Sequence, residues 1–519
     1  MEKKKTPYTE EWELYEKGKE YNCSIDLYDK VNTNERFFRG DQWDGISSGG
    51  LPTPVFNIFK RIINYFTSSI MQTPLKMRYT FSSPCGSDFG ISEEEAAKAS
   101  EKLNRIADAR WEKSKMNDLI ASSLTDAAVS GDAVCYTYWD ESVRTGQKFK
   151  GDFVSTLIDG TNVFFGDPNS KNVQKQPYIL IAQRETVEDL RAQAARNGIP
   201  KEDIAKIKPD SERDKQAGDM GRHELENTKC ISLIKLWKQD GRVYFRKSVK
   251  DAVVKGDTDT GLKFYPIAFY NWMPIKNCWH GQAVGTGLKD NQIFINKGFA
   301  MAMKHMMDTA FSKVVFDSTV VDGWSDRVGE AIAVNGPVEN VAKVITPGAM
   351  QPGMLEVLNM AIEHTKEFMG ATDTALGDVA PNNTSAILAL QSASSVPLEN
   401  VKRALYQFVE DIGVIWLDFM FAYYDDKRLV PVGSGYEEFG MSKFDAPEFA
   451  CKIDVGASSY WSEISSLNTL DNLLRLGKIT TAQYLKRLPD GLIPDKDELI
   501  AEVSAAESII LKAEGGIDE

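Results

Sequence analysis

Cysteine is sparse and unclustered in this chain. The six in 519 residues (Cys23, Cys85, Cys135, Cys230, Cys278 and Cys451) include no C-x-x-C pair. That spacing excludes a zinc ribbon or a thioredoxin-like redox site and points to free thiols in a reducing compartment. Histidine is scarcer still. His223, His280, His305 and His364 show neither H-x-x-x-H nor H-E-x-x-H spacing, and packing or solvation accounts for them more simply than metal binding. No long apolar run is present either. The most apolar late segment, IGVIWLDFMFAYY, is interrupted by Asp418 and is too short for the roughly 20 apolar residues of a membrane span. The opening MEKKKTPYTEEWELYEKGKE has lysines but no apolar stretch behind them, so it does not read as a secretory signal. The expectation is an intracellular, soluble protein.

An excess of basic charge is also missing. Lys and Arg number 61 against 75 Asp and Glu, a net charge of −14. Binding DNA through its phosphates is driven by counterion release at basic patches, so a chain of this balance repels DNA as a whole. That is the behaviour of an ordinary acidic protein, and equally of a surface past which DNA must slide without sticking. Catalytic signatures are absent too. Gly281, Gly285 and Gly287 precede a helix, but they match neither G-x-x-x-x-G-K-[ST] nor G-x-G-x-x-G and read as a turn. No G-x-S-x-G elbow occurs. Tyr270, Trp272 and Trp279 could stack on bases, but their place around Pro266 and Pro274 suits packing of an irregular strand. The sequence offers no catalytic residue, no metal ligand set and no cofactor site, and the expectation is a protein that is not an enzyme.

What is present is a mixed pattern, α+β and predominantly helical. Apolar spacing predicts helices through residues 12–38 and from about Phe56 to Pro74, and one strong helical block over 93–130, closed by Gly131. Segments 132–140, 152–159, 177–185 and 229–249 are rich in β-branched and aromatic residues. They read as strands, the last with a Gln-Asp-Gly hairpin turn. Thr186 and Gly198 bracket a short helix between them, and residues 201–227 are charged and poor in apolar groups.

The second half opens with GTGLKDNQIFINKGFAMAMKHMMDTAF, residues 285–311. Lys289, Gln292, Asn296, Lys297, Lys304 and Asp308 fall near one narrow stripe, while Ile293, Phe294, Ile295, Phe299, Met301, Met303, Met306, Met307 and Phe311 cover most of the rest. A helix apolar nearly all round is one enclosed by neighbours on several sides; it is either the centre of a bundle or the partner of its own copies in an assembly. A strand-bearing insertion follows at 312–350, then a second helix at 354–369 ending at Gly370. The loop 371–385 (ATDTALGDVAPNNTS) carries Asp373 and Asp378 and no Lys or Arg. Another long helix follows it, expected to kink at Pro397.

Four passages, in order, resemble the portal proteins of tailed double-stranded DNA bacteriophages. NERFFRGDQWDG with PVFNIFKRIINYFTSSIMQTPL looks like the family's opening. LIDGTNVFFGDPNSKNVQKQPYILIAQRETVEDLR is similar to its wing segment, and YPIAFYNWMPIKNCWHGQAVGTGLKDNQIFINK to the approach to its stem, with Gln292 and Asn296. LNTLDNLLRLGKITTAQYLKRLPDGLIPD resembles its C-terminal helical region.

The resemblance implies a portal fold of wing, stem, clip and crown regions assembling as a ring, commonly a dodecamer, at one capsid vertex. Laid on this chain it makes 1–280 a mixed wing region, 281–311 the first stem helix, 312–350 the clip and 351–370 the second stem helix. Residues 371–385 become a tunnel loop, 386–459 a long helix returning to the wing, and 460–519 a helical crown. It implies a stem interface at Ile293, Phe294, Phe299, Met303, Met306 and Met307. Asp373, Leu376, Asp378, Val379, Asn382 and Asn383 would face DNA, and Trp324, Asp326, Arg327 and Glu330 would dock terminase or a connector. The implied partners are copies of the chain itself, double-stranded DNA, the terminase large subunit, major capsid and scaffolding proteins and a head-tail connector, with no membrane. The implied location is the virion, with the host cytoplasm during assembly. Two alternatives stay open: a ring-forming translocase or nuclease of the packaging machinery, and a monomeric helical binding module.

Overall fold

Helices α1 (Glu10–Ser24), α2 (Leu27–Arg39) and α3 (Ile58–Met71) open the chain in the computed structural model. The structure describes residues 9–71, 75–84, 91–210, 228–310, 313–321, 334, 335, 337, 341–345, 352–368, 370, 398–432, 435–454, 470–488, 499, 500 and 503. Strand β1 (Lys76–Phe81) follows α3. The block expected as one helix over 93–130 is two, α4 (Glu93–Lys113) and α5 (Met116–Ser130). The chain turns between them at Lys115, which takes a left-handed φ of 48°, a conformation that ends an α-helix. Ser92 and Glu95 form a reciprocal capping box at the start of α4, and Gly131 closes α5 at a φ of 98°.

Two antiparallel sheets occupy the first half. In the smaller, β2 (Asp132–Asp140) lies between β3 (Asp152–Ile158) and β9 (Ile267–Asn271). The larger is a five-stranded meander of β4 (Val163–Phe165), β5 (Tyr178–Thr186), β6 (Lys229–Gln239), β7 (Arg242–Ser248) and β8 (Val253–Asp259). Asp240 and Gly241, both at positive φ, make the β6–β7 turn that the Asp-Gly pair foretells. One face of the meander is covered by α1, whose Trp12 and Tyr15 pack with Phe164, Leu180, Ala182, Ile231 and Leu233. The approach is close enough that a Cβ on Gly18 would stand 2.3 Å from the Phe164 ring. Elsewhere on this sheet, α6 (Val187–Arg196), capped by Thr186, buries Leu190 and Ala194 with Cys230 and Val254; α7 (Lys201–Ile204) follows.

Beyond the short paired strands β10 (Met273–Pro274) and β11 (Gly281–Gln282) comes α8 (Val284–Thr309). The expected insertion contains β12 (Lys313–Phe316) paired with β13 (Ala342–Ile345), and α9 (Pro352–Phe368) follows. The next described helix, α10 (Glu399–Tyr423), packs on the three-stranded sheet. Its Trp416 indole donates to Ser155 Oγ at 2.9 Å, and the Phe408 ring centroid lies 5.0 Å from that of Tyr270. Asp418, the charge that interrupts its apolar run, is buried and accepts the Lys263 and Phe264 amides at 2.8 and 2.9 Å. Burial pushes its carboxyl up, and those two donors offset part of the cost. The expected kink at Pro397 lies outside the described residues.

The hairpin of β14 (Leu429–Val432) and β15 (Gly435–Glu438) and the strand β16 (Phe449–Asp454) come next. The chain divides into two compact units, one of residues 1–70 and 79–451, the other of 71–78 and 452–519. In the second, α11 (Thr481–Arg487) starts at a Thr480–Gln483 capping box and is tied to Asp471 by the Tyr484 hydroxyl at 2.6 Å. Helix (49%) exceeds strand (22%) without excluding it, so the α+β reading holds and "predominantly helical" holds roughly. Among the described residues no helix is long and apolar enough to cross a membrane.

Candidate functional site

Helix α8 is 26 residues long, about 39 Å at 1.5 Å per residue, and its two sides are the reverse of an ordinary surface helix. Leu288, Gln292, Ile295, Asn296 and Ala302 are buried, a stripe at helical spacing. Its polar members do not face water. Gln292 Nε2 donates to the Phe56 carbonyl at 2.7 Å and Gln292 Oε1 accepts from the Phe59 amide at 3.1 Å. Asn296 Nδ2 donates to Gln42 Oε1 at 2.7 Å, and Gln292 Nε2 also reaches Asn296 Oδ1 at 2.9 Å. Gln42 Nε2 in turn donates to the Phe37 carbonyl at 3.0 Å. Gln292 thus satisfies the Phe59 amide at the start of α3, one of the N–H groups that a helix N-terminus leaves open, and adds a second donor to the Phe56 carbonyl, which also accepts the Ile58 amide.

Most of the remaining large apolar side chains point the other way. Phe294 is 49% exposed, Met301 47%, Met306 54% and Met307 63%. Ile293, Phe299 and Met303 are half-buried. Phe299 rests on the exposed Phe56 ring at 4.3 Å between centroids, so the apolar surface runs from the helix onto the loop before α3. Helix α9 extends it. Leu358 and Thr365 are its buried residues toward the fold, while Val357 (52%), Met360 (53%) and Phe368 (86%) are exposed. The two helices approach closely because α8 carries Gly298 opposite Leu358, where a Cβ would fall 2.2 Å from Leu358 Cδ2.

Six side chains singled out from sequence (Ile293, Phe294, Phe299, Met303, Met306 and Met307) therefore lie on one helix, half-buried or exposed. The narrow stripe of polar groups read from the sequence is split. Gln292 and Asn296 turn inward, whereas Lys297 is exposed and Lys304 pairs with Asp308 at 2.9 Å. Trp324, Asp326, Arg327 and Glu330 lie outside the described residues, as do Asp373, Leu376, Asp378, Val379, Asn382 and Asn383. His364 is exposed and pairs with Glu367 at 3.2 Å. Of the glycines at the entry to α8, Gly281 meets the Gly131 backbone and Gly285, the second residue of the helix, the Phe59 ring, so both serve close packing. Sequence reading missed Phe56 as part of the apolar surface, and missed the inward amides. Their signal was there: Gln and Asn four apart on an otherwise apolar face.

No curated protein matches the chain. The profile of the phage P22-like portal protein family matches residues 18–435, a span that includes the meander, the amide clamp and both apolar helices. The chain belongs to that family and is a phage portal protein, a component of the virion's capsid vertex that serves genome packaging.

Proposed function

We propose that this chain assembles as a closed ring, a dodecamer, through the apolar sides of α8 and α9, and that DNA enters and leaves the capsid through the ring's channel. The observation that carries the proposal is the outward row of Phe294, Met301, Met306, Met307, Val357, Met360 and Phe368. Fully burying a side chain of this size is worth about 1.5–3 kcal/mol. Recovering half of that at each of several positions supplies a strong drive for association. Methionine suits such a face because its flexible thioether fills irregular gaps.

In the same reading, 281–311 and 351–370 form the stem. The strand pair within 312–350 marks the clip, where Trp324, Asp326, Arg327 and Glu330 dock the terminase large subunit and later a head-tail connector. Residues 371–385 form the tunnel loop, whose Asp373 and Asp378 repel phosphate while Leu376, Val379, Asn382 and Asn383 touch DNA sterically. Residues 460–519 form the crown, and capsid and scaffolding proteins meet the wing during assembly in the host cytoplasm.

Two changes test this. Phe294→Lys with Met306→Glu should leave the chain folded by circular dichroism and abolish rings in negative-stain images. Deletion of 373–383 should leave rings intact and impair DNA packaging or retention. Rings that survive the first change remove the stem interface, and normal packaging after the second removes the tunnel loop.

A further inference from the structure

Charge on α8 and α9 is sorted between the two helices. Lys304 is taken up by Asp308 on α8, and His364 by Glu367 on α9. That leaves Lys289, Asp290 and Lys297 on α8, and Glu356 and Glu363 on α9, none of which has an ion-pair partner among the described residues. Lys297, Asp290 and both glutamates are exposed, and Lys289 is half-buried. Lys289, Ile293 and Lys297 are four residues apart and run down the side of α8 turned away from Gly298, the residue that meets Leu358. Glu356, Met360 and Glu363 are four and three apart, on the side of α9 opposite its buried Leu358 and Thr365. The helix pair is therefore basic on one flank and acidic on the other, with an apolar side chain set between the charges on each.

The levels of these groups along the helices also match. Strands β12 and β13 pair antiparallel, Lys313 with Ile345 and Phe316 with Ala342. This brings the end of α8 and the start of α9 together, so the two helices run in opposite directions from the Gly298–Leu358 contact. Counted from that contact at about 1.5 Å per residue, Lys297 is level with Asn359, about 4.5 Å from the level of Glu356 and about 6 Å from that of Glu363. Asp290 is level with Lys366 by the same count.

We propose, resting on the ring assembly already put forward, that the ring closes head to tail: the Lys289–Lys297 flank of α8 in one copy packs on the Glu356–Glu363 flank of α9 in the next, with Lys297 seated between the two glutamates. Ring contacts are heterologous and need two different surfaces that fit each other, one on each flank of the subunit. In a ring whose axis runs along the helices, rotation to the next copy keeps every residue at its own level. Lys297 then meets Glu356 and Glu363, Asp290 meets Lys366, and Ile293 and Met360 pack between the charges. Two α8 helices packed through the same flank would instead set Lys289 of one against Lys297 of the other. Complementary charge of this kind selects partner and register more than it adds affinity, and the like charges oppose the wrong pairing.

The test uses the full chain in two charge-reversed forms, one carrying Lys297→Glu and the other Glu356→Lys with Glu363→Lys. All three positions are exposed, so both forms should stay folded by circular dichroism. Native mass spectrometry with negative-stain imaging follows each form alone and the two in equal amounts, one of them isotope-labelled. Alone, each form sets like charges against each other at every contact and should need about tenfold more protein than the unaltered chain to assemble rings. Mixed, they should assemble at the unaltered chain's concentration, as rings in which the two forms alternate, a rescue that misfolded chains could not give. Either form assembling alone as readily as the unaltered chain, or a mixture no better than its parts, overturns the head-to-tail pairing while the ring itself stands. An unaltered chain that forms no rings removes the ring assembly, and the pairing with it.

Discussion

Gln292 and Asp152 are the side chains whose loss should matter most for their size. Gln292 bridges a backbone carbonyl and a backbone amide of the segment entering α3. Gln292→Leu keeps the volume and leaves the buried Phe59 amide without its acceptor, while the Phe56 carbonyl keeps the Ile58 amide at 2.8 Å, at a cost of about 1–3 kcal/mol. Lys304→Ala, which removes an exposed pair, should cost well under 1 kcal/mol. Urea unfolding of the two variants makes the comparison, and equal costs would contradict the clamp. Asp152 receives Arg110, the Tyr424 hydroxyl at 2.9 Å and Lys113 at 3.4 Å, with Arg428 3.6 Å away. Burial pushes its carboxyl up, but the charge and hydrogen bond of Arg110 lead the opposing effects that hold it below the usual range. A depressed carboxylate contributes stability in full above its unfolded pKa of about 3.9. That contribution is lost as pH falls through its lower folded value. Asp152→Ala leaves two guanidinium groups buried without their anion and should cost about 3–5 kcal/mol. It should also flatten the acid limb of the unfolding curve, and an unchanged limb would show that Asp152 does not carry it. The Asp152 cluster was not legible in the sequence, because its partners lie far away along the chain, and of the clamp only the four-residue spacing of Gln292 and Asn296 was.

At the scale of elements, most of the secondary structure was legible. Periodicity located α8 and α9, β-branched runs located β2, β3, β5, β6 and β7 but not β4 or β8, and Asp-Gly located the β6–β7 hairpin. What periodicity could not supply was the side on which α8 is buried. The polar stripe that includes Gln292 and Asn296 named no neighbour, and the fold puts the start of α3 against those two residues. Helix α4 was read through its end because Ser114 and Lys115 carry no glycine or proline to mark the turn. Glycines in α8 give a paired test. A methyl group added at Gly287 would meet nothing within 4 Å, whereas one added at Gly298 would collide with Leu358. Gly287→Ala should therefore stabilise by up to about 1 kcal/mol through helix propensity. Gly298→Ala should destabilise by about 1–3 kcal/mol by forcing α9 outward. Thermal unfolding that moves both in the same direction would contradict the close α8–α9 contact.

At the scale of the whole molecule, a chain with a net charge of −14 exposes a row of large apolar side chains on two adjacent helices. Charge of one sign keeps such a chain soluble, and the apolar face gives it a specific place to associate. Family membership was legible because four passages kept their order along the sequence. The residues proposed to face the channel and to dock partners come only from that resemblance, since their segments carry no periodicity that fixes a partner. Ring assembly is tested most directly by the native mass of the purified protein, taken alone and with capsid and scaffolding proteins. A closed ring whose mass is a whole multiple of the 57.9 kDa chain is the predicted result. A chain that remains monomeric even with those proteins present would contradict it, and α8 and α9 would then owe their apolar faces to some other partner.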